Sequence, residues 1–211
     1  MTEPSPPSSD IGFMNKGRLE NLSDGIFAII LTLLVLELKV PPLADGNSPE
    51  QLGSKLLEMA PKFLSWANSF FTVSVIWLNH HRFFKMFRIV DHTLFWWNVV
   101  LLFWISLIPF PTALMGDYLA NPLAVSFYGL VMFLQSLTWV IGRLYLHRHL
   151  NLFHEFVSVA EFRKGTLFTL LFGPVAYGAA SALAWVHPYL AVTLYLVIAG
   201  YFILPHSTKN N

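Results

Sequence analysis

Apolar residues fall in long blocks along this chain, and short polar segments separate the blocks. An α-helix needs roughly 20 residues to cross the ~30 Å hydrocarbon core of a bilayer, and six blocks are long enough. The pattern therefore predicts an all-α integral membrane protein with six transmembrane helices per chain. The predicted spans are 17–40, 60–81, 93–114, 122–146, 165–186 and 189–205.

Prolines mark where several predicted helices end or bend. A proline offers no N–H and pushes the preceding residue out of the helical region. We expect the first helix to stop at Pro41-Pro42, the third to bend or end at Pro109 and Pro111, and the fifth to kink at Gly173-Pro174. The amphipathic stretch 43–60 is predicted to be a surface loop with a short interfacial helix.

Composition agrees with a membrane protein. The chain is 55% apolar and only 12% charged, whereas a soluble domain carries about 25% charged residues. The net charge of +1 implies no nucleic-acid partner, and the absence of cysteine excludes disulfides and thiolate metal sites. A Pro/Ser-rich, acidic start predicts a disordered cytoplasmic tail rather than a signal peptide. The expected organisation is a tail at 1–14, a six-helix transmembrane domain at 15–206 and a second cytoplasmic tail at 207–211.

Lysine and arginine are unequally divided between the two sides that six spans create. The side of the N-terminus has Lys16, Arg18, Arg82, Lys85, Arg88, Arg143, Arg148, Arg163, Lys164 and Lys209. The other side has Lys39, Lys55 and Lys62, which lie among acidic residues. Because cytoplasmic loops carry the excess of Lys and Arg, the sequence predicts a multi-pass plasma-membrane protein with both termini in the cytoplasm.

The first predicted helix has an aliphatic stripe along one side. At about 100° per residue, one narrow face collects Arg18, Leu22, Gly25, Ile29, Leu33, Leu36 and Val40, with Thr32 at its border. We call this face the helix-one stripe. If several copies surrounded an axis, its aliphatic residues would form stacked rings, and such a ring can gate a pore by dewetting. Ordinary helix packing is the alternative, because stripes of this spacing usually face a protein core.

Polar residues precede the apolar part of this helix, although polar groups are costly to place in a membrane. Arg18 and Asp24 are six positions apart on different faces, so a direct pair within the helix is not expected. Ser23 and Asp24 point away from the helix-one stripe, and each polar residue is expected to meet another helix. The alternatives are N-terminal capping by Ser23 and Asp24 and snorkelling of Arg18 to lipid headgroups.

A second polar cluster, Trp77–Lys85, ends the second predicted helix at the depth of Asp24. His80, His81 and Arg82 are candidate partners of Asp24, because pairing would lower the cost of burying each group. A metal or haem site is an alternative, but no HExxH motif, regular ligand spacing or carboxylate cluster supports it. The further histidines available to such a site are His147, His149 and His154.

The run Arg18-x-x-x-Leu22-Ser23-Asp24-Gly25, followed by an Ile/Leu-rich helix that ends Leu-Glu-Leu-Lys-Val-Pro, resembles the transmembrane protein 175 family. That family comprises lysosomal and endosomal potassium channels with prokaryotic relatives, and its signature is R-x-x-x-F-S-D at the start of helix one. The run Asn79-His80-His81-Arg82 resembles the end of its helix two. The likeness covers the first two helices and, beyond them, the six-span pattern. Leu22 departs from the signature by replacing the usual Phe, which affects a packing contact rather than the polar pair.

The resemblance implies a potassium-selective channel whose pore is lined by helix one. Animal members carry two six-helix repeats and dimerise, so a one-repeat chain would form a homotetramer in the lipid bilayer. Carried onto this sequence, the constriction falls on Ile29, Leu33 and Leu36, with hydroxyls from Thr32. The implied interhelical network consists of Arg18, Ser23, Asp24, His80, His81 and Arg82. No cofactor or metal is implied, and K⁺ is the permeating ion.

The residues themselves add one independent point. No T-V-G-Y-G-like loop is present, so a filter of backbone carbonyl rings is not expected. Two other functions are alternatives to the channel. A proton- or ion-coupled secondary transporter would use Asp24 with His80 or His81 as titrating groups, but no inverted repeat and no acidic residue in the middle of a span support it. A membrane enzyme with histidine ligands is the third class, and we expect the protein not to be an enzyme.

Overall fold

The computed structural model describes residues 15–44 and 48–203, and these residues form helices joined by short turns. The helices are α1 (Lys16–Val35), α2 (Pro49–Glu58), α3 (Ala60–Phe84), α4 (His92–Leu107), α5 (Pro109–Asp117), α6 (Pro122–Arg148), α7 (Val159–Leu170), α8 (Ala176–Leu183) and α9 (Pro188–Ile203). A 3₁₀ turn at Leu150–Leu152 follows α6, and a π-helical segment at Leu171–Val175 joins α7 to α8. The predicted tails 1–14 and 207–211 lie outside the described residues.

Two of the three expected interruptions occur where the prolines stand. α4 ends and α5 begins around Ile108, directly before Pro109. Gly173 and Pro174 lie in the π-helical segment, so the fifth predicted span is irregular at the expected point. Within the described residues, three runs are both long and apolar enough to cross a membrane, at 92–117, 122–148 and 159–183. The short helix expected between residues 43 and 60 is α2, which has no buried residue.

The prediction that the first helix continues to residue 40 is wrong, because α1 ends at Val35. The amide of Leu36 bonds to the carbonyl oxygens of Leu33 and Leu34, and the amide of Leu38 bonds to Val35 O at 3.1 Å. These bonds form tight turns that leave the helix before the proline pair is reached. Proline disfavours the helical conformation only in the residue before it, so the proline pair accounts for the non-helical Val40 but not for the end of α1 at Val35.

α6 is the central helix of the bundle. It packs against α4, α5, α7, α8 and α9, while α1 packs against α3 and α4. Large aromatic side chains fill the space between α3, α4 and α6. Phe83, Trp97 and Trp139 meet there with ring centroids 5.0–5.4 Å apart, in edge-on or tilted arrangements that favour aromatic attraction. The rigid centre of the bundle therefore gives α1 a fixed surface to dock against.

Three chain segments meet at one end of the bundle. The Nζ of Lys16 donates to Phe87 O at 2.8 Å, which places the start of α1 beside the α3–α4 connection. The amide of Arg88 donates to Leu152 O at 2.8 Å, which adds the α6–α7 connection. The described Lys and Arg residues predicted for one side belong to these segments and their adjoining helix turns, so we call this the basic end. α2 lies toward the other end, where Lys62 and Asp117 form an ion pair at 2.5 Å.

Candidate functional site

The helix-one stripe is exposed along its whole length in the described chain. Ile29, Leu33 and Leu36 are 58%, 42% and 66% exposed. The other members, Arg18, Leu22, Gly25, Thr32 and Val40, are exposed as well. The opposite face of α1 is buried against the bundle through Leu19, Ser23, Phe27, Ile30 and Leu34. The helical periodicity therefore separates an open aliphatic face from a packed one.

Thr32 adds a hydroxyl to the open face at the level of Ile29 and Leu33. Its Oγ1 donates to the carbonyl oxygen of Ile29 at 2.8 Å and approaches that of Ala28 at 3.2 Å. Because the hydroxyl proton is used within α1, the oxygen can present a lone pair on the open side of the helix. This oxygen is a polar group between the aliphatic side chains of Ile29 and Leu33.

The buried face of α1 is attached to two other helices by a chain of hydrogen bonds. Asn98 of α4 donates from Nδ2 to Ser23 Oγ at 3.0 Å, and Ser23 Oγ donates to Leu19 O at 2.9 Å. The amide oxygen of Asn98 lies 2.8 Å from Nε2 of His80 in α3. Since the oxygen of Asn98 can only accept, His80 must carry a proton on Nε2. We call Ser23, Asn98 and His80 the buried triad.

Aromatic rings enclose the imidazole of His80, which is 1% exposed. Phe84 stacks on it at 4.4 Å between centroids, and Phe27 of α1 lies at 5.5 Å. Trp139 of α6 meets it edge-on at 6.3 Å. A polar group inside a packed apolar shell is stabilised only when its hydrogen bonds are made. The buried triad therefore fixes both the rotation and the depth of α1.

Asp24 has a different partner from those predicted. Trp77 of α3 donates from Nε1 to Asp24 Oδ1 at 2.9 Å, and among the described residues Asp24 forms no ion pair with His80, His81 or Arg82. The indole also stacks on His81, with centroids 6.2 Å apart. Both Asp24 and Trp77 are exposed in the subunit. A neutral indole donor satisfies the carboxylate without bringing a second charge to the site.

The structure thus brings together only part of the predicted network. Ser23 and His80 join through Asn98, while Asp24 and His81 meet Trp77. Arg18 and Arg82 are exposed and take part in no ion pair within the part of the chain that the structure describes. Sequence reasoning missed Asn98, although a lone amide within the apolar block 94–108 is a signal, because intramembrane polar residues are usually functional.

A second group of polar side chains, also missed from the sequence, ties α3 to α5 and α6. Asn68 donates from Nδ2 to the hydroxyl of Tyr128 at 3.0 Å, and Thr112 donates to Ser69 Oγ at 2.7 Å. All four residues are buried. These bonds hold α3, the helix against which α1 docks, and they lie away from the helix-one stripe.

The histidines considered as metal or haem ligands lie apart. Nε2 of His147 lies 3.0 Å from Thr166 Oγ1, whereas Nδ1 of His149 lies 2.9 Å from Tyr145 O in its own helix turn. His154 stacks on Phe156. Over residues 15–44 and 48–203, no three side chains of His, Asp or Glu converge in a way that could hold a metal ion.

Comparisons with known proteins place this arrangement among channels. Residues 18–109 match the family model described as "Endosomal/lysosomal potassium channel TMEM175". A protein of Chamaesiphon minutus named as a potassium channel is 37% identical over 195 residues, which cover 89% of this chain and 93% of that protein. The crystal structure of a lysosomal potassium-selective channel TMEM175 homologue from Chamaesiphon minutus aligns with a TM-score of 0.77 at 35% identity, covering 89% of this chain and 96% of the other.

A rat relative is named for a different ion. The endosomal/lysosomal proton channel TMEM175 of Rattus norvegicus is 33% identical over 101 residues, or 46% of this chain and 20% of that protein. The similarity to the Chamaesiphon proteins thus extends over nearly the whole of both chains. The similarity to the rat protein covers less than half of this chain and a fifth of the rat protein.

Proposed function

This chain belongs to the endosomal/lysosomal potassium channel TMEM175 family, and from that premise we propose that it is a potassium-selective cation channel whose pore is lined by α1. The observation that carries the proposal is the exposed helix-one stripe on a helix whose other face is held by the buried triad. Ile29, Leu33 and Leu36 of several copies form the constriction, and Thr32 supplies hydroxyl oxygens beside it.

The position of polar groups on α1 favours a pore rather than lipid as the environment of this stripe. Arg18 begins the stripe at one end of α1, and Glu37 and Lys39 follow its last turn. The apolar part between them is shorter than the roughly 20 residues that a lipid-facing helix needs. A helix of this kind is better suited to the interior of an assembly than to its lipid-facing surface.

Selection in this pore depends on dehydration at the aliphatic rings. No loop of the T-V-G-Y-G type provides carbonyl rings that could replace the hydration shell of the ion. Potassium loses its water more easily than sodium, so a narrow apolar constriction passes potassium preferentially. The expected discrimination is moderate, because few oxygen ligands compensate for the lost water.

Assembly and orientation complete the proposal. Four copies of the six-span chain surround the pore axis, with the α1 helices innermost. The basic end faces the cytoplasm of a plasma membrane, because the excess of Lys and Arg marks the cytoplasmic side. Imaging of single particles in nanodiscs tests both the number of copies and the identity of the helix on the axis.

Potassium flux through liposomes containing the purified protein tests the function directly. The unmodified chain should pass K⁺ faster than Na⁺.

Ile29→Asn should wet the constriction and increase the flux about tenfold while reducing the K⁺ preference, because an amide stabilises water where the aliphatic ring excludes it. Phe103→Asn, at an exposed position of α4 that is not part of the helix-one stripe, is the matched control and should leave selectivity unchanged. Absence of K⁺ flux from correctly assembled protein would contradict the proposal.

Proton conduction is a second candidate, favoured by the name of the rat relative. A pH-sensitive dye enclosed in the same liposomes distinguishes the two ions. Flux of K⁺ without acidification at zero membrane potential supports the potassium channel, whereas proton flux that persists without K⁺ supports the second candidate. Saturable, proton-dependent K⁺ uptake would instead indicate the coupled transporter.

A further inference from the structure

A cavity of about 320 Å³ lies inside the bundle, between α3, α6, the α7–α8 run and α9. No residue of α1 lines it, so it is separate from the proposed pore. Its volume falls within the range of about 300–1,000 Å³ that is typical of ligand pockets. Trp139, Phe168 and Phe172 contribute large apolar surfaces to its walls. An apolar cavity of this size inside a membrane bundle can take one hydrocarbon chain.

Two arginines lie where this cavity approaches the basic end. Arg82 of α3 is exposed, and Arg143 of α6 is partly buried. The guanidinium of Arg143 is held by bonds from Nε to Thr166 Oγ1 at 3.0 Å and from Nη2 to Phe162 O at 2.8 Å, and it lies 4.3 Å from the ring centroid of Phe162. Among the described residues, neither arginine has a carboxylate within ion-pair distance. Two positive charges beside the cavity are therefore left without an anion.

Gln135 supplies an independent sign of a missing partner. It lines the cavity, is 2% exposed, and its Nε2 has no hydrogen-bond partner in the described structure. It precedes Arg143 by eight residues on the same face of α6, which corresponds to about 12 Å along the axis. Buried amide donors are nearly always bonded. A ligand with an oxygen acceptor below its anionic group would satisfy this one.

The irregular helix between α7 and α8 forms one wall of the cavity. Phe172 and Gly173 of the π-helical segment face α6 there. A Cβ added to Gly173 would lie 3.0 Å from Cβ of Ser136, so a side chain at this position would press on α6. Single π-helical turns inside α-helices occur frequently at functional sites.

We propose that this cavity binds an anionic phospholipid from the leaflet at the basic end. The phosphate binds Arg82 and Arg143, because guanidinium groups favour phosphate oxygens. An ester carbonyl accepts the hydrogen bond from Gln135, and one acyl chain lies against Trp139, Phe168 and Phe172. Basic pockets between transmembrane helices bind lipid headgroups in this way. The cavity thus makes the bundle that supports α1 sensitive to the composition of the membrane.

Native mass spectrometry of the purified full-length protein tests this binding without any measurement of ion flux. Phosphatidylglycerol and phosphatidylcholine with identical acyl chains are offered at equal concentrations. We expect about tenfold preference for phosphatidylglycerol: both lipids carry the phosphate, but the choline ammonium of phosphatidylcholine brings a positive charge close to the two arginines. Arg82→Gln and Gln135→Leu should each weaken phosphatidylglycerol binding several-fold. Arg88→Gln removes an exposed arginine from the same end of the bundle but not from the cavity, and should have little effect.

Three results would overturn the proposal. The first is equal binding of phosphatidylcholine. The second is an Arg88→Gln variant that loses as much binding as Arg82→Gln, which would indicate attraction by the basic surface as a whole. The third is complete displacement of the lipid by excess glycerol phosphate, which would assign the site to a free phosphate. Gln135→Leu removes an unpaired buried amide and should fold at least as well as the parent, so it tests the proposal even if Arg82→Gln is unstable.

Discussion

The two faces of α1 differ in what they contact. One face carries Ser23 and Ile30 and is packed into the bundle, where the buried triad connects it to α3 and α4. The other carries Ile29 and Leu33, whose side chains are largely exposed in the subunit. Neighbouring positions such as Ile29 and Ile30 are chemically identical but have opposite environments. The difference shows that hydrogen bonds hold one side of α1 in the bundle. Its aliphatic side is left without such contacts and is open to another partner.

The free-energy cost of burying polar groups explains why the members of the buried triad are paired with one another. Polar groups in a membrane are expensive unless each is paired. The buried triad pairs one Ser, one Asn and one His inside an aromatic shell, and such a network fixes geometry more sharply than aliphatic contacts that can slide. In the proposed channel, a pore whose width depends on the branched side chains of α1 requires this helix to be fixed in rotation. The buried face therefore determines the geometry of the open one.

The largest effect should come from placing an amide on the packed face. Ile30→Asn loses a buried aliphatic side chain and buries an unpaired amide, with an expected loss of about 3–5 kcal/mol. The protein should fail to assemble in fluorescence-detected size exclusion. Ile29→Asn makes the same chemical change one residue earlier and should assemble normally. If both variants assemble equally well, the distinction between the two faces is wrong.

A smaller loss is expected when the buried triad is opened at its centre. Asn98→Leu removes both bonds of Asn98 and leaves His80 and Ser23 without those partners, with an expected cost of about 2–4 kcal/mol. Thermal unfolding of the assembled protein measures this loss. Val100→Leu, an exposed position on the same helix, is the control and should unfold like the parent. Channels that assemble despite the Asn98→Leu substitution should keep their K⁺ preference unless α1 rotates, and a rotation would show as altered selectivity.

The weakest of the three effects is expected at the edge of the packed face. Trp77→Phe keeps an aromatic ring but removes the N–H that bonds to Asp24, with an expected cost of about 1 kcal/mol. Asp24→Ala should cost a similar amount and alter assembly rather than selectivity, because Asp24 points away from the helix-one stripe. The double variant should be little worse than either single one in thermal unfolding, since both changes remove the same bond. Fully additive losses would show that the two residues act separately.

The sequence predicted the faces of α1 better than their contacts. The stripe depends only on a rotation of about 100° per residue and on hydropathy. Its members within α1 are all exposed, whereas Leu36 and Val40 are exposed but follow the last residue of the helix. The interruptions near Pro109 and at Gly173-Pro174 follow from the missing N–H of proline in the same local way. Local rules of this kind do not depend on which helix lies next to which.

The partners of the polar residues could not be obtained in that way. Asp24 meets Trp77 rather than a histidine or an arginine, because the rotation of α3 turns His80 inward toward Asn98. Asp24 and Trp77 are 53 positions apart in the sequence, and Ser23 and Asn98 are 75 positions apart. Such residues become neighbours only through the packing of whole helices. A single amide residue within an apolar span is the sequence signal that would have pointed to the buried polar contacts. Asn98 and Gln135 are both single amides in apolar spans, and both lie at positions of structural or chemical consequence.

The most direct test of the central claim uses the natural absence of cysteine in this chain. Ile29→Cys places a thiol on the helix-one stripe, and a ring of thiolates from several copies should coordinate Cd²⁺ strongly, since thiolates favour soft metal ions. Micromolar Cd²⁺ should block K⁺ flux through this variant, a chelator should restore the flux, and the cysteine-free parent and Phe103→Cys should be unaffected. Unchanged flux through Ile29→Cys in Cd²⁺, with block of Phe103→Cys instead, would show that another part of the chain lines the pore.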